Sequence, residues 1–461
     1  MRAKPKKQAA RVAPQSPKLS SRVSTGQRDG LTTSARPEVA LQQTPKSLTI
    51  TAVEPNPDLL TLPWDLPLEQ WPESVVVALP RGISRHVVRF ARLSGRVVAV
   101  KEISQYYAAR EYQLLKELKA LGEPSVEPVA VVAGRQGAAG EELDAALITQ
   151  HLKFSLPYRA LFSQRLRPAT ATRLLDSLAL LMVRLHLIGF YWGDVSLSNT
   201  LFRRDASAFS AFLVDAETGD LHETLTDGQR LYDLDLARVN VIGELMDLEA
   251  GDMLEAELDP IAIGDFLHER YLQLWTALTE EETVATDAHW RLQERINRLN
   301  DLGFDVAELS MVTSPDGTEV KIRPQVVDAG HHQRRLFRLT GLDVQENQAR
   351  RLLNDLDTYR AATDQTDVDE DYVAHDWLMT VFEPTVRAVP RELRGKLELP
   401  QIFHEVLEHR WFVSQHKNRF VSLDEARRSY IDTVLRHRRD EESLILANTI
   451  ELPPADDVVL G

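Results

Sequence analysis

The stretch LIGFYWGDVSLSNTLF sets the tightest limit on how this chain folds. Asp194 and Asn199 stand five positions apart in it. Before them runs ATRLLDSLALLMVRLHLIG, apolar almost all round, which predicts a buried helix. After them, TLFRR and FSAFLVDAE predict two paired strands. A polar pair at this spacing arises often by chance. Held between a buried helix and a strand, it marks a loop that the fold presents deliberately.

The rest of the chain arranges itself around that loop. Met1 to about Ser47 is rich in Lys, Arg, Ser, Gln and Pro and poor in large apolar side chains, which predicts a disordered basic tail over 1–47. From Leu48, SVVVALP, HVVRFARL and RVVAVKEI predict a meander of strands, and YYAAREYQLLKELKALG a helix ended by Gly122 and Pro124. PVAVVAG and AALITQHL predict two further strands. Residues 48–150 thus form an α+β unit, and 151–258 a mainly helical one. The remainder, 259–461, reads as a mainly α-helical accessory domain. It carries apparent capping boxes at Thr279 with Glu282 and at Ser422 with Glu425, and a hairpin strand in TEVKIRPQVVDAG after the turn SPDG.

Composition excludes several function classes. The chain has no cysteine, so disulfides, thiolate metal sites and thiol nucleophiles are ruled out. The net charge is -15 despite the basic tail, and so acidic a body argues against a broad nucleic-acid surface. No apolar run is long enough for a transmembrane helix, and MRAKPKKQAARVAPQ lacks the apolar core of a secretory signal. A cytoplasmic protein is expected.

Four parts in order suit phosphoryl transfer, which needs a cover and a cation for nucleotide phosphates, metal-binding oxygens and a carboxylate near the attacking hydroxyl. Gly82 and Ser84 in LPRGISRH form a turn that could approach phosphates. Lys101 ends the strand VAVKE. Two helix carboxylates compete to hold it. Glu111 lies at the centre of the stripe of Leu114, Leu115, Leu118 and Leu121, whereas Glu117 lies at its margin. A carboxylate centred on a buried stripe wants a cationic partner, so Glu111 is chosen. Asp194 is then the candidate base, and Asn199 with the strand-end Asp215 the candidate metal ligands.

Lys101, Glu111, Asp194, Asn199 and Asp215 together resemble the protein-kinase-like superfamily. HLIGFYWGDVSLSNTLF and LVDAETG are most similar to the lipopolysaccharide core (Kdo/heptose) kinase group and to small-molecule kinases with an H-G-D loop. RINRLNDLGFD, VKIRPQVVDAGHH, LTGLDVQENQARRLLNDL and FHEVLEHRWFVS resemble the second domain of a bacterial family in which a C-terminal domain of unknown function follows such a kinase-like domain. The resemblance implies a two-lobed protein-kinase-like fold, with ATP and Mg2+ as cofactors and a hydroxyl of a sugar, glycan or small metabolite as acceptor. Nucleotide contacts would come from Gly82, Ser84, Lys101, Glu111, Asn199 and Asp215.

Departures from the protein-kinase pattern shape that reading. Gly193 replaces the Arg before the catalytic Asp, Trp192 the His, and Ser196 a basic residue, while DAE replaces D-F-G. They point away from a regulated Ser/Thr kinase, toward a small-molecule or glycan kinase. The alternative is a weak or inactive nucleotide-binding scaffold that meets a protein partner through its C-terminal domain. HEVLEH, with His404 and His409 on different helix faces, reads as plain helix. Arg334, Arg335 and Arg338 read as a solvated basic face, or as a phosphate or domain-docking site. Asp233 and Asp235 read as solvated acids on a helix.

Overall fold

The computed structural model describes residues 47–77, 86–162, 168–280, 282–285, 294, 304–313, 319–438 and 441, with the backbone alone over 282–329. The basic tail up to residue 46, together with Gly82 and Ser84, lies outside the described residues.

The first lobe is a six-stranded antiparallel sheet with one helix. The strands are β1 (Thr49–Ala52), β2 (Val76–Val77), β3 (Val87–Leu93), β4 (Arg96–Ile103), β5 (Pro128–Ala133) and β6 (Ala145–Gln150), in the order β1-β5-β6-β4-β3-β2. The helix α1 (Gln105–Ala120) follows β4 directly. Side chains alternate along a strand. Val98 and Val100 of β4 therefore enter an apolar cluster with Trp64 and Trp71, while Ala99 and Lys101 face the cleft below.

The segment holding those tryptophans straps the sheet's outer face. Its clasp is Arg135, whose guanidinium is fully buried and donates to the carbonyls of Trp64 (3.1 Å), Leu66 (2.6 Å) and Asp144 (2.8 Å) and to Glu102 (2.6 Å). A buried charge is tolerated only when paired and hydrogen-bonded in this way.

The second lobe is built on α3 (Pro168–Leu187), which is buried along most of its length as its composition requires. After β7 (Leu156–Pro157), α2 (Tyr158–Phe162) and β8 (Phe190–Tyr191), the hairpin β9 (Thr200–Asp205) and β10 (Ala208–Leu213) pairs from Thr200 with Leu213 to Asp205 with Ala208. β11 (Asp220–Leu221) pairs with β8, and α4 (Asp227–Ala250) and α5 (Pro260–Thr279) follow. Leu267, Tyr271 and Leu274 of α5 share one core with α3 and α4. The helix just beyond the expected boundary at 258 therefore packs with this lobe.

The next region opens on a three-stranded antiparallel sheet, β12 (Glu282–Ala285), β13 (Phe304–Thr313) and β14 (Glu319–Ala329), with β14 central. The expected hairpin strand is β14. Thr279 does not begin a helix: it closes α5, and Glu282 opens β12, because a Ser/Thr three positions before an acid marks a helix start only where no helix is already running. From α6 (His331–Thr340) onward the chain is helical, through α7 (Glu346–Ala362), α8 (Glu370–Trp377), α9 (Glu383–Arg387), α10 (Leu399–Lys417) and α11 (Leu423–Thr433). Ser422 caps α11 by accepting from the amide of Glu425.

The β9–β10 hairpin joins the two regions. The fully buried Asp205 carboxylate accepts from the amides of Asn347 (3.1 Å) and Gln348 (2.6 Å), from Asn347 Nδ2 (3.0 Å) and from Ser210 Oγ (2.9 Å). It thereby serves the open N-terminus of α7, where backbone donors lack helical partners. Arg203 pairs with Glu398, Arg204 with Glu441, and Gln401 donates to the Ala206 carbonyl.

Candidate active site

Between the lobes lies a cleft of about 650 Å³. Val88, Ala99, Leu201 and Val214 give it an apolar slot, and Lys101, Asp194, Asn199 and Asp215 line it as well. Among the sequence-nominated residues that are described, only Glu111 is not part of that lining. It sits behind Lys101, 1% exposed.

Lys101 reaches three carboxylates. Its ammonium lies 3.0 Å from Glu111, 2.8 Å from Asp215 and 3.3 Å from Glu217. The helical phase that chose Glu111 over Glu117 matches this geometry, for Glu117 accepts from Gln113 on the outer face of α1. Burial works against the Lys101 charge, yet Glu111 and Asp215 outweigh it and its pKa is raised. Glu111 responds oppositely. Burial, then the neighbouring Asp215 charge, push its carboxyl up to about 8, against the pull of Lys101. One lysine does not balance three carboxylates. One oxygen from each of Glu111, Asp215 and Glu217 falls within 4.8 Å of the other two. Hard oxygen donors with surplus negative charge are the chemistry that suits a Mg2+-like cation.

Glu217 is a residue that sequence reasoning missed, having treated DAE only as a departure. His86 Nε2 lies 2.9 Å from it, and its amide donates to Asp215 Oδ1 (3.0 Å).

Asp194 and Asn199 form a second cluster across the cleft. Asn199 Nδ2 donates to the Asp194 carbonyl (3.0 Å) and carboxylate (3.1 Å). With its nitrogen so engaged, the amide oxygen is the atom left for a metal. Ser196 turns inward to the loop, accepting from the Asn199 amide (3.2 Å). Trp192, in the His position, is buried and its indole donates to the Asp215 carbonyl (2.8 Å), tying the two clusters together. Gly193 has φ +77°, and a Cβ there would sit 3.0 Å from the Tyr191 ring and 3.2 Å from the Thr218 carbonyl, so a side chain at this place would be strained.

The larger miss is on α4. Asp233 is not solvated: it is 0% exposed and accepts from the amides of Trp192 (2.9 Å) and Gly193 (2.8 Å), with His186 Nε2 at 3.1 Å. His186 continues to Tyr271 of α5 (2.6 Å). Asp235, by contrast, is exposed. Two more α4 residues meet the loop. Asn240 donates to the Val195 carbonyl (3.0 Å) and more loosely to Asp194 (3.4 Å). Glu244 accepts from the amides of Leu197 (2.7 Å) and Ser198 (3.0 Å). The Arg334–Arg338 stretch is α6, where Arg335 pairs with Glu370 of α8.

Comparison with known proteins agrees with the element order. Residues 89–247 match the lipopolysaccharide kinase (Kdo/WaaP) family, and residues 273–435 match a domain of unknown function, DUF4032. No curated protein matches. A solved structure described as WaaP in complex with acyl carrier protein is 16% identical, with a TM-score of 0.31, covering 50% of this chain and 90% of that chain. The expected resemblance, a kinase-like region followed by a domain of unknown function, is shown. The fold is α+β and kinase-like, with a helical region beyond His331. Among the described residues no helix is long and apolar enough to cross a membrane.

Proposed function

We propose that this chain is an ATP- and Mg2+-dependent phosphotransferase whose acceptor is a hydroxyl of a sugar, glycan or small metabolite. The observation that carries the reading is the pairing of two clusters across one cleft: Lys101 held by Glu111 and Asp215, facing Asp194 held by Asn199. Within the reading, the kinase-like unit runs from 48 to about 280, and the remainder is accessory.

Each residue has a task. Val88, Ala99 and Leu201 would flank the base, since nucleotide pockets are largely apolar with few polar anchors. Lys101, kept in place by Glu111, would turn from Asp215 to the phosphates. Asp215 and Asn199 would hold Mg2+, which when bound neutralises charge developing on the phosphates. Asp194 would accept the acceptor's hydroxyl proton as its oxygen bonds the γ-phosphorus and the bond to the departing ADP breaks. Shared family membership at the level of a matched region supports kinase-like chemistry and leaves the acceptor open to assay.

The test is calorimetric titration of the full chain with a non-hydrolysable ATP analogue, with and without Mg2+. Binding strengthened by Mg2+ is expected, and Asp215→Asn should abolish both that gain and Mg2+-dependent turnover while remaining folded. Full turnover by Asp215→Asn would defeat the metal assignment, and no binding under either condition would defeat the reading.

A further inference from the structure

The polar contacts from α4 to the Asp194–Asn199 loop come from one narrow stripe. Asp233, Asn240 and Glu244 are spaced by seven and four residues, which at 100° per residue confines them to an arc of about 40°. They grip the loop in chain order. Asp233 takes the amides of Trp192 and Gly193, Asn240 gives to Val195 and Asp194, and Glu244 takes the amides of Leu197 and Ser198. The loop therefore lies along α4 as on a ruler, held at its start, middle and end.

The last two grips bear on the reacting groups. Asn240 touches the Asp194 carboxylate itself. Glu244 holds the two residues immediately before Asn199, so it fixes where that amide stands. Both side chains also line the cleft. Between them, Gly243 has open space where a Cβ would be.

We propose that Asn240 and Glu244 are positioning residues, setting the distance between the proton acceptor Asp194 and the metal ligand Asn199. The proposal rests on the phosphotransfer reading. A rigid α4, anchored by Leu245 and Leu248 in the lobe core, transmits its straightness to a loop that has no regular structure of its own. Losing Glu244 frees two amides next to Asn199. Losing Asn240 frees the Val195 carbonyl and one oxygen of Asp194. Neither loss touches Lys101 or the apolar slot, so metal-free nucleotide should still bind while the Mg2+-dependent chemical step slows.

The experiment uses full-length wild type, Glu244→Ala, Glu244→Gln and Asn240→Ala. Hydrogen exchange of the 192–199 segment is followed together with MgATP hydrolysis, water serving as acceptor. In Glu244→Ala the Leu197 and Ser198 amides should exchange about tenfold faster or more, with α5 unchanged, and kcat should fall about tenfold to a hundredfold, the range expected for hydrogen bonds to a charged group, while a metal-free ATP analogue binds as tightly as to wild type. Glu244→Gln retains one acceptor oxygen and should recover part of both losses. Asn240→Ala should lower kcat alone. Unchanged exchange in Glu244→Ala, or a loss confined to KM, overturns the inference and leaves the phosphotransfer reading standing. A wild type that neither binds nor hydrolyses MgATP overturns that reading, and the catalytic purpose of the two tethers with it.

Discussion

Binding of Mg2+ and nucleotide should release a proton, and the proton should come from Glu111. Burial and Asp215 push this carboxyl up to about 8, so at pH 7 it is mostly protonated while no cation is bound. One Asp215 oxygen lies within 4.8 Å of a Glu111 oxygen, so a divalent charge that Asp215 would hold acts on Glu111 from about that distance. At an effective dielectric near 20, a double charge at that separation favours the carboxylate by roughly 7 kcal/mol, far above the 1.4 kcal/mol that moves a pKa by one unit. Glu111 should then ionise. Lys101, with its pKa raised, stays charged throughout and supplies no proton. The sign follows from linkage: binding that expels a proton weakens as pH falls, so affinity should drop by up to tenfold per unit from pH 8 downward. Titrations in two buffers of different ionisation enthalpy give the number directly, with net proton release expected at pH 7 and less at pH 9. Glu111→Gln, which keeps a hydrogen bond to Lys101 but cannot ionise, should lose that release and the pH slope. Equal release from wild type and Glu111→Gln would refute the assignment, since the proton would then come from the nucleotide or another group.

Two further perturbations test the supports of the site. Asp205→Ala strips the N-terminus of α7 of its buried acceptor and should cost roughly 3 kcal/mol in urea unfolding, from a lost helix cap and stranded donors. Asp205→Asn should cost less, and a loss under about 1 kcal/mol for the alanine variant would show that the hairpin contact does not hold the two regions together. Asp233→Asn turns one of two acceptors into a donor facing the Trp192 and Gly193 amides, and should destabilise by roughly 2–4 kcal/mol. Turnover should fall at least about tenfold with it, and a fully active, fully stable variant would remove Asp233 from the account of the loop.

What could be read from the sequence and what could not divide along a physical line. Lys101, Glu111, Asp194, Asn199 and Asp215 were legible because each stands at a fixed step from an apolar run whose period declares its element. The phase of a leucine stripe was enough to separate Glu111 from Glu117. The supports were illegible because their partners are backbone groups far away in the chain. An Asp on an amphipathic helix is usually solvated, and nothing local distinguishes Asp233, which meets amides 40 and 41 positions earlier, from Asp235, which is exposed beside His268. Asp205 drew no reading from the sequence, because its donors arrive with α7, more than 140 positions later. The seven-and-four spacing of Asp233, Asn240 and Glu244 was present all along, but a stripe becomes meaningful only when the surface it faces is known. Here that surface is a loop whose own side chains were recognisable. In the proposed reading the chemistry lies in side chains with local signatures, and its positioning in side chains that address the backbone. A search along the helix following any such loop, for polar residues repeating on one face, would recover the second class from the first.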